Sequence, residues 1–273
     1  LGSAVFAPVC NLIISKAGFQ TAFICFGLFI LLVAVLSFFI IRTRPEEVGL
    51  LPYGKNEGDP VSENVLADAE KAQSSGFTLK ESMSQAPFWF LVLFAMATSL
   101  VATNITSQTP SYLSKLEWSA STISLFLMGY GICSIIGKVI IGNILDKKGL
   151  LAGGYVGTVI CLIALVSMVF VKSFAPISIF YVLFGAPGSM MCTVALPIYV
   201  SKLFGDKYFS SIFSTLSILT TVGAIISSFG SGVIIDQFGF PVMYIVDIVC
   251  ILLAAVGFTS ALKTNKFNKE VKA

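Results

Sequence analysis

Two charged residues sit inside long apolar runs: Lys138 within 120–144 and Asp247 about two turns into 241–262. Charges embedded in this way are costly to keep, and they mark substrate or ion sites by default. A lysine there offers a compact positive point charge to an anion, and a carboxyl offers a place for a coupled proton. Ser134 precedes Lys138 by four residues and Tyr130 lies another turn back, so at helical spacing the three share a face. Each charge also has a plainer account. Lys138 is close enough to one end of its run to extend its head to the lipid headgroups. Asp247 has Tyr244 one turn away as a hydrogen-bond partner for its protonated form.

The rest of the chemical inventory is sparse. Histidine is absent, which excludes an imidazole relay or a His-ligated metal, and no G-x-S-x-G, H-E-x-x-H or P-loop motif occurs. Cys10, Cys25, Cys133, Cys161, Cys192 and Cys250 all fall in apolar segments without a CxxC pair, and read as small buried hydrophobes. Eight of the 14 acidic residues lie in 42–86, where water solvates them. No catalytic residue, metal or cofactor is expected, and the chain is not read as an enzyme.

The elements that hold these residues are membrane helices. The chain is 56% hydrophobic and 11% charged with a mean hydropathy of +0.92, whereas a soluble domain carries about 25% charged residues. With about 20 apolar residues needed per crossing, the sequence predicts about eight crossings: 1–16, 20–41, 87–108, 120–144, 151–171, 175–202, 208–235 and 241–262. The segment 2–35 recurs without a gap 221 positions later, so that Gly2 falls on Gly223, Gly18-Phe19 on Gly239-Phe240 and Ala34-Val35 on Ala255-Val256. A duplicated helix pair is the mark of transporters built from two similar halves. The first run starts inside its own apolar stretch, so the chain is expected to be a fragment whose upstream helices are missing, and by itself not to transport.

Lys and Arg sort the loops. Arg42, Arg44, Lys55, Lys71, Lys80, Lys147, Lys148, Lys202, Lys207 and the tail lysines Lys263, Lys266, Lys269 and Lys272 fall on one side, against Lys16, Lys115 and Lys172 on the other. The positive-inside rule places the 42–86 loop and the C-terminus in the cytoplasm of a multi-pass protein of the cell membrane. Basic residues follow this alternation and form no patch, so nucleic-acid binding is not expected. Within the loop, Thr78 and Glu81 have capping-box spacing, and Phe77, Leu79 and Met83 give a short helix an apolar side for the membrane interface. The mixed charge of the remainder reads as a solvated tether, with a regulatory docking loop as the alternative.

The loop opens with Arg44-Pro45-Glu46-Glu47-Val48-Gly49-Leu50-Leu51-Pro52-Tyr53-Gly54, and 142–149 reads Gly-Asn-Ile-Leu-Asp-Lys-Lys-Gly, with a weaker echo at 232–239. These stretches resemble the mid-chain linker and the G-x-x-x-D-R/K-x-G signature of major facilitator superfamily transporters. They are most similar to the branch of oxalate–formate antiporters and monocarboxylate porters. The resemblance implies an all-α integral membrane fold with about eight of twelve transmembrane helices present, numbers five to twelve. It divides the chain into the last two helices of the N-terminal bundle (1–41), a cytoplasmic linker (42–86), a C-terminal six-helix bundle (87–262) and a cytoplasmic tail (263–273).

The same resemblance assigns roles. Gly142, Asp146, Lys147 and Gly149 are expected to govern opening and closing of the cytoplasmic side, with the glycines allowing close packing and Asp146 pairing with loop bases or a helix N-terminus. Lys138, roughly 10 Å from the helix middle at ~1.5 Å per residue, matches a substrate-binding Arg of those relatives, with Lys in its place and Val139 where Pro is frequent. Ser134, Tyr130, Asn104 and Tyr181 are expected to complete the substrate site, alongside further hydroxyls such as Thr98, Ser99, Ser189, Ser217, Thr220 and Thr221. Asp247 is the candidate proton-coupling carboxylate. Gly185, Pro187, Gly188 and Pro197 are expected to bend or break their helix. The implied activity is secondary active transport of a small organic anion, with a proton or counter-anion as coupling partner, by a monomer in the bilayer. A drug or neutral-solute carrier of the same fold, and a non-transporting receptor, remain open alternatives.

Overall fold

The computed structural model describes residues 2–40, 76–172, 175–185 and 191–264. Its contacts divide the chain into two units, one holding 9–75 and the other holding the first eight residues with 76–273. The helical run α1 (Gly2–Ile40) is broken at Gly18, whose φ of 84° and ψ of 169° belong to a region that glycine alone occupies readily. The same backbone occurs at Gly149, Gly205 and Gly239, each of which ends one helix before the next begins. The two copies of the sequence repeat therefore share their Gly-Phe turn, and α1 consists of the two expected helical halves, 2–17 and 19–40.

The second unit starts with a short helix, α2 (Leu79–Met83). Long helices follow: α3 (Ala86–Lys115), α4 (Ala120–Lys148) and α5 (Leu150–Phe170). After a broken segment come α6 (Leu196–Phe204), α7 (Phe209–Phe238) and α8 (Phe240–Thr264). Their starts follow from local chemistry. Pro87 opens α3, where a missing N–H costs nothing, and Ser119 accepts the Thr122 N–H at the head of α4. Among the described residues no strand forms, and a single isolated bridge joins Gly76 to Gly205.

Among the described residues, six helices are long and apolar enough to span a bilayer, counting α1 as one. The remaining expected crossing, 175–202, is not a continuous α-helix. A 3₁₀ turn (Ala175–Ile177) and a helical turn (Ser178–Phe180) lead into a π-helical turn (Tyr181–Gly185), and a second π turn (Met191–Ala195) precedes α6. Pro197 sits in the first turn of α6, where it is tolerated. Pro187, Gly188 and Ser189 lie outside the described residues.

Helix α3 is the centre of its unit. It packs along α7 and α8, and α5 packs against α8. It also runs to Lys115, past the expected end at 108, with Asn104, Ile105, Thr109, Tyr112 and Leu113 buried along its last turns. Two apolar clusters lie along it, one around Phe88, Phe94, Tyr199, Phe204 and Phe258, the other around Tyr112, Tyr181, Phe240 and Tyr244. Small residues set the closest approaches. A Cβ on Gly223 would lie 2.8 Å from the Met96 carbonyl oxygen, and one on Gly257 2.8 Å from that of Phe90, so both helices touch α3 backbone to backbone.

At the head of the unit the capping box forms as expected: Thr78 N–H donates to Glu81 at 2.8 Å and Glu81 N–H to Thr78 Oγ1 at 3.3 Å. The first of these bonds, from the Thr78 backbone, holds the Glu81 carboxyl below its ordinary value. Phe77 and Leu79, however, pack on the apolar cluster of the bundle and not on a membrane interface. Phe77 N–H also donates to the Phe204 carbonyl at 2.9 Å, tying the segment to the end of α6.

Candidate functional site

Polar side chains of α3, α7, α8 and the π turn form a buried layer. Asn104 donates from Nδ2 to Asp247 Oδ1 at 2.8 Å and accepts at Oδ1 from Ser227 at 2.7 Å. One turn along α3, Gln108 Nε2 donates to Ser231 Oγ at 3.0 Å. Thr109 shares hydrogen bonds with the hydroxyls of Tyr181 (2.7 Å) and Tyr244 (3.0 Å), and Tyr181 donates to the Ile105 carbonyl at 2.9 Å. Asp247 is fully buried, and among the described residues its Oδ2 and the buried Tyr112 hydroxyl have no hydrogen-bond partner.

This layer contains three of the residues singled out in the sequence, Asn104, Tyr181 and Asp247. Asn104 and Tyr181, expected to face substrate, are buried within the bundle and bonded to other helices. Asp247 meets Asn104, whereas the Tyr244 hydroxyl turns to Thr109. The sequence did carry a signal for the layer: Gly223, Ser227 and Ser231 are buried at four-residue spacing on α7, opposite Asn104 and Gln108 at the same spacing on α3. Ser227, Ser231, Gln108 and Thr109 are the members that were missed.

The α4 candidates are placed differently. Tyr130 is half-buried and stacks on Tyr181 with ring centroids 5.8 Å apart, while Tyr181 also stacks on Phe126 at 5.8 Å. Ser134 is half-buried and Lys138 exposed, on the same stretch of α4. Since α4 runs to Lys148, Lys138 lies nearer its middle than expected, about 6 Å along the axis at ~1.5 Å per residue.

A separate cavity of about 290 Å³ opens between α3, the second π turn, α6 and α7, lined by Ser99, Thr193, Leu196, Phe213, Ser217 and Thr220. Ser99 Oγ donates across it to the Thr220 carbonyl at 2.7 Å. Three of the expected cavity hydroxyls, Ser99, Ser217 and Thr220, are thus brought together, with Thr193 added. Thr98, one position from Ser99, is buried and bonded to the Phe94 carbonyl at 2.7 Å.

The sequence profile of the Major Facilitator Superfamily matches residues 1–214. The chain belongs to this superfamily. No curated protein matches it. The superfamily is one of secondary transporters and not of enzymes, and the all-α, multi-pass membrane architecture agrees with it. Its signature segment closes α4. Asp146, Lys147 and Lys148 are exposed in the last turn, and Gly149 caps the helix at φ 84°. Gly149 therefore meets a backbone requirement. A Cβ on Gly142 would meet nothing within 4 Å, so the close packing expected there is absent among the described residues.

Proposed function

We propose that this superfamily member carries a small organic anion, a carboxylate, across the cell membrane by alternating access, and that Lys138 meets its charge. The observation that supports this is the position of Lys138 near the middle of a 29-residue helix, about 15 Å from the nearer end at ~1.5 Å per residue. A lysine side chain spans roughly 6 Å, so reaching the headgroups from there is a strained version of the anchoring role. The proposal includes the division into helices five to twelve, the oxalate–formate and monocarboxylate branch, a monomeric state, and a cytoplasmic linker and tail. Ser134 and Tyr130 accompany Lys138 on α4, Asp146 and Lys147 bias the closed state, and Asp247 serves a coupled proton.

The test is anion uptake by the full-length protein carrying Lys138→Gln, with insertion verified separately. A charge-assisted contact contributes roughly 1.5–3 kcal/mol, so affinity should fall about ten- to hundredfold. Lys138→Arg should retain part of the activity, with a shift towards dicarboxylates from its fork geometry. Near-normal uptake in Lys138→Gln would leave the residue as an anchor. A second reading, a carrier of an uncharged solute, is favoured by one observation: the 290 Å³ cavity has no charged residue in its lining.

A further inference from the structure

The cavity between α3, the second π turn, α6 and α7 has a definite hydrogen-bond polarity. A serine or threonine hydroxyl has one proton to donate and two lone pairs to accept with. At Ser99 the proton goes to the Thr220 carbonyl (2.7 Å), at Ser217 to the Phe213 carbonyl (2.8 Å), and at Thr220 to the Ser217 carbonyl (2.7 Å). What these three oxygens still offer a guest is acceptor capacity. Of the other three lining residues, Leu196 and Phe213 are apolar and Thr193 carries a fourth hydroxyl.

We infer that this cavity is a binding site for an uncharged, hydroxyl-bearing group, which donates to the oxygens of Ser99, Ser217 and Thr220 while its carbon skeleton lies on Leu196 and Phe213. A carboxylate brings only acceptors, so to bond to Ser99, Ser217 or Thr220 it would have to pull a hydroxyl proton off a backbone carbonyl, including the Ser99 bond that ties α3 to α7. An ammonium brings donors, but the lining holds no carboxylate to balance its charge. A neutral hydroxyl satisfies the lone pairs at neither cost. The volume, about 290 Å³, is at the lower end for small-ligand sites and suits a solute of a few carbons. The inference rests on reading the chain as a carrier, and it gives the uncharged-solute form of that reading a site that does not include Lys138.

The experiment is saturation-transfer NMR on the full-length protein in nanodiscs, with erythritol as the hydroxylated probe and acetate as a carboxylate. Erythritol should bind saturably, and its affinity should fall about threefold to tenfold in both Ser217→Ala and Thr220→Val, each removing one acceptor with little change of shape. Making the two hydroxyl substitutions separately, with circular dichroism on each, prevents a folding defect in one from deciding the result. Absence of saturable erythritol binding, unchanged affinity in both hydroxyl variants, or an equal loss of acetate affinity in Ser217→Ala would overturn the site. Acetate binding that ignores Lys138→Gln would instead sink the anion reading and leave this one standing.

Discussion

Asn104 is the side chain of the buried polar layer that joins three helices. It bonds Asp247 on α8 with its amide N–H and Ser227 on α7 with its carbonyl, so one residue of α3 fixes two neighbouring helices. Hydrogen bonds between membrane helices average about 0.6 kcal/mol and reach about 1.7, but an unmade buried bond costs more than a made one gains. Asn104→Ala leaves Asp247 with neither oxygen bonded, and should lower stability by about 1–3 kcal/mol in reversible denaturation of the full-length protein. Asp247→Asn keeps an acceptor for Asn104 and should be milder. A double-mutant cycle with no coupling between the two positions would show that the 2.8 Å contact holds nothing together.

Helix packing in this protein depends on which glycines face backbone. Gly257 sits 2.8 Å, by its absent Cβ, from the Phe90 carbonyl oxygen, and backbone cannot swing aside as a side chain tip does. Gly257→Ala should therefore cost about 1–3 kcal/mol through overpacking at the α3–α8 contact. Gly142→Ala, in open space on α4, should be neutral or stabilising by up to about 1 kcal/mol from helix propensity. Thermal denaturation of the two variants side by side checks the contrast, and equal melting temperatures would contradict it. The capping box of α2 responds to pH. Because Thr78 holds the Glu81 carboxyl below its ordinary value, its contribution is complete above the usual glutamate range and is lost as pH falls through the lowered folded value. Hydrogen-exchange protection at 78–85, taken relative to the intrinsic rate at each pH, should fall on acidification into that range, and Glu81→Gln should flatten the response.

At the scale of the whole molecule, the gating role proposed for the segment that closes α4 falls on exposed groups. Asp146 and Lys147 are exposed in the last turn of their helix. If they act on the equilibrium between the two open states, a substitution changes how often the site is presented and leaves the site itself intact. Asp146→Asn in the full-length protein should lower maximal uptake severalfold while changing equilibrium binding of the solute less than twofold. Binding and uptake falling together would instead place Asp146 in the site.

Composition and periodicity were enough for the membrane class, the positions of most helices and the shared turn of the repeat. Long apolar runs have few other solutions in lipid, and a glycine at φ near 85° between two such runs has few substitutes. The capping box at Thr78 and Glu81 was legible for the same reason, being a contact across three residues. Contacts between helices were not. The Asn104 to Asp247 bond joins residues 143 apart, and the Ser99 to Thr220 bond joins residues 121 apart, so no local pattern distinguishes a hydroxyl facing a cavity from one facing a neighbouring helix. Tertiary packing decided that Asn104 and Tyr181 belong to the interior, that the expected break in 175–202 takes the form of π turns, and that among the described residues Gly257, not Gly142, carries a close contact. The physical reason is common to all three: an apolar or small residue reads the same in sequence whichever way its helix is turned, and only the neighbouring helices fix that rotation.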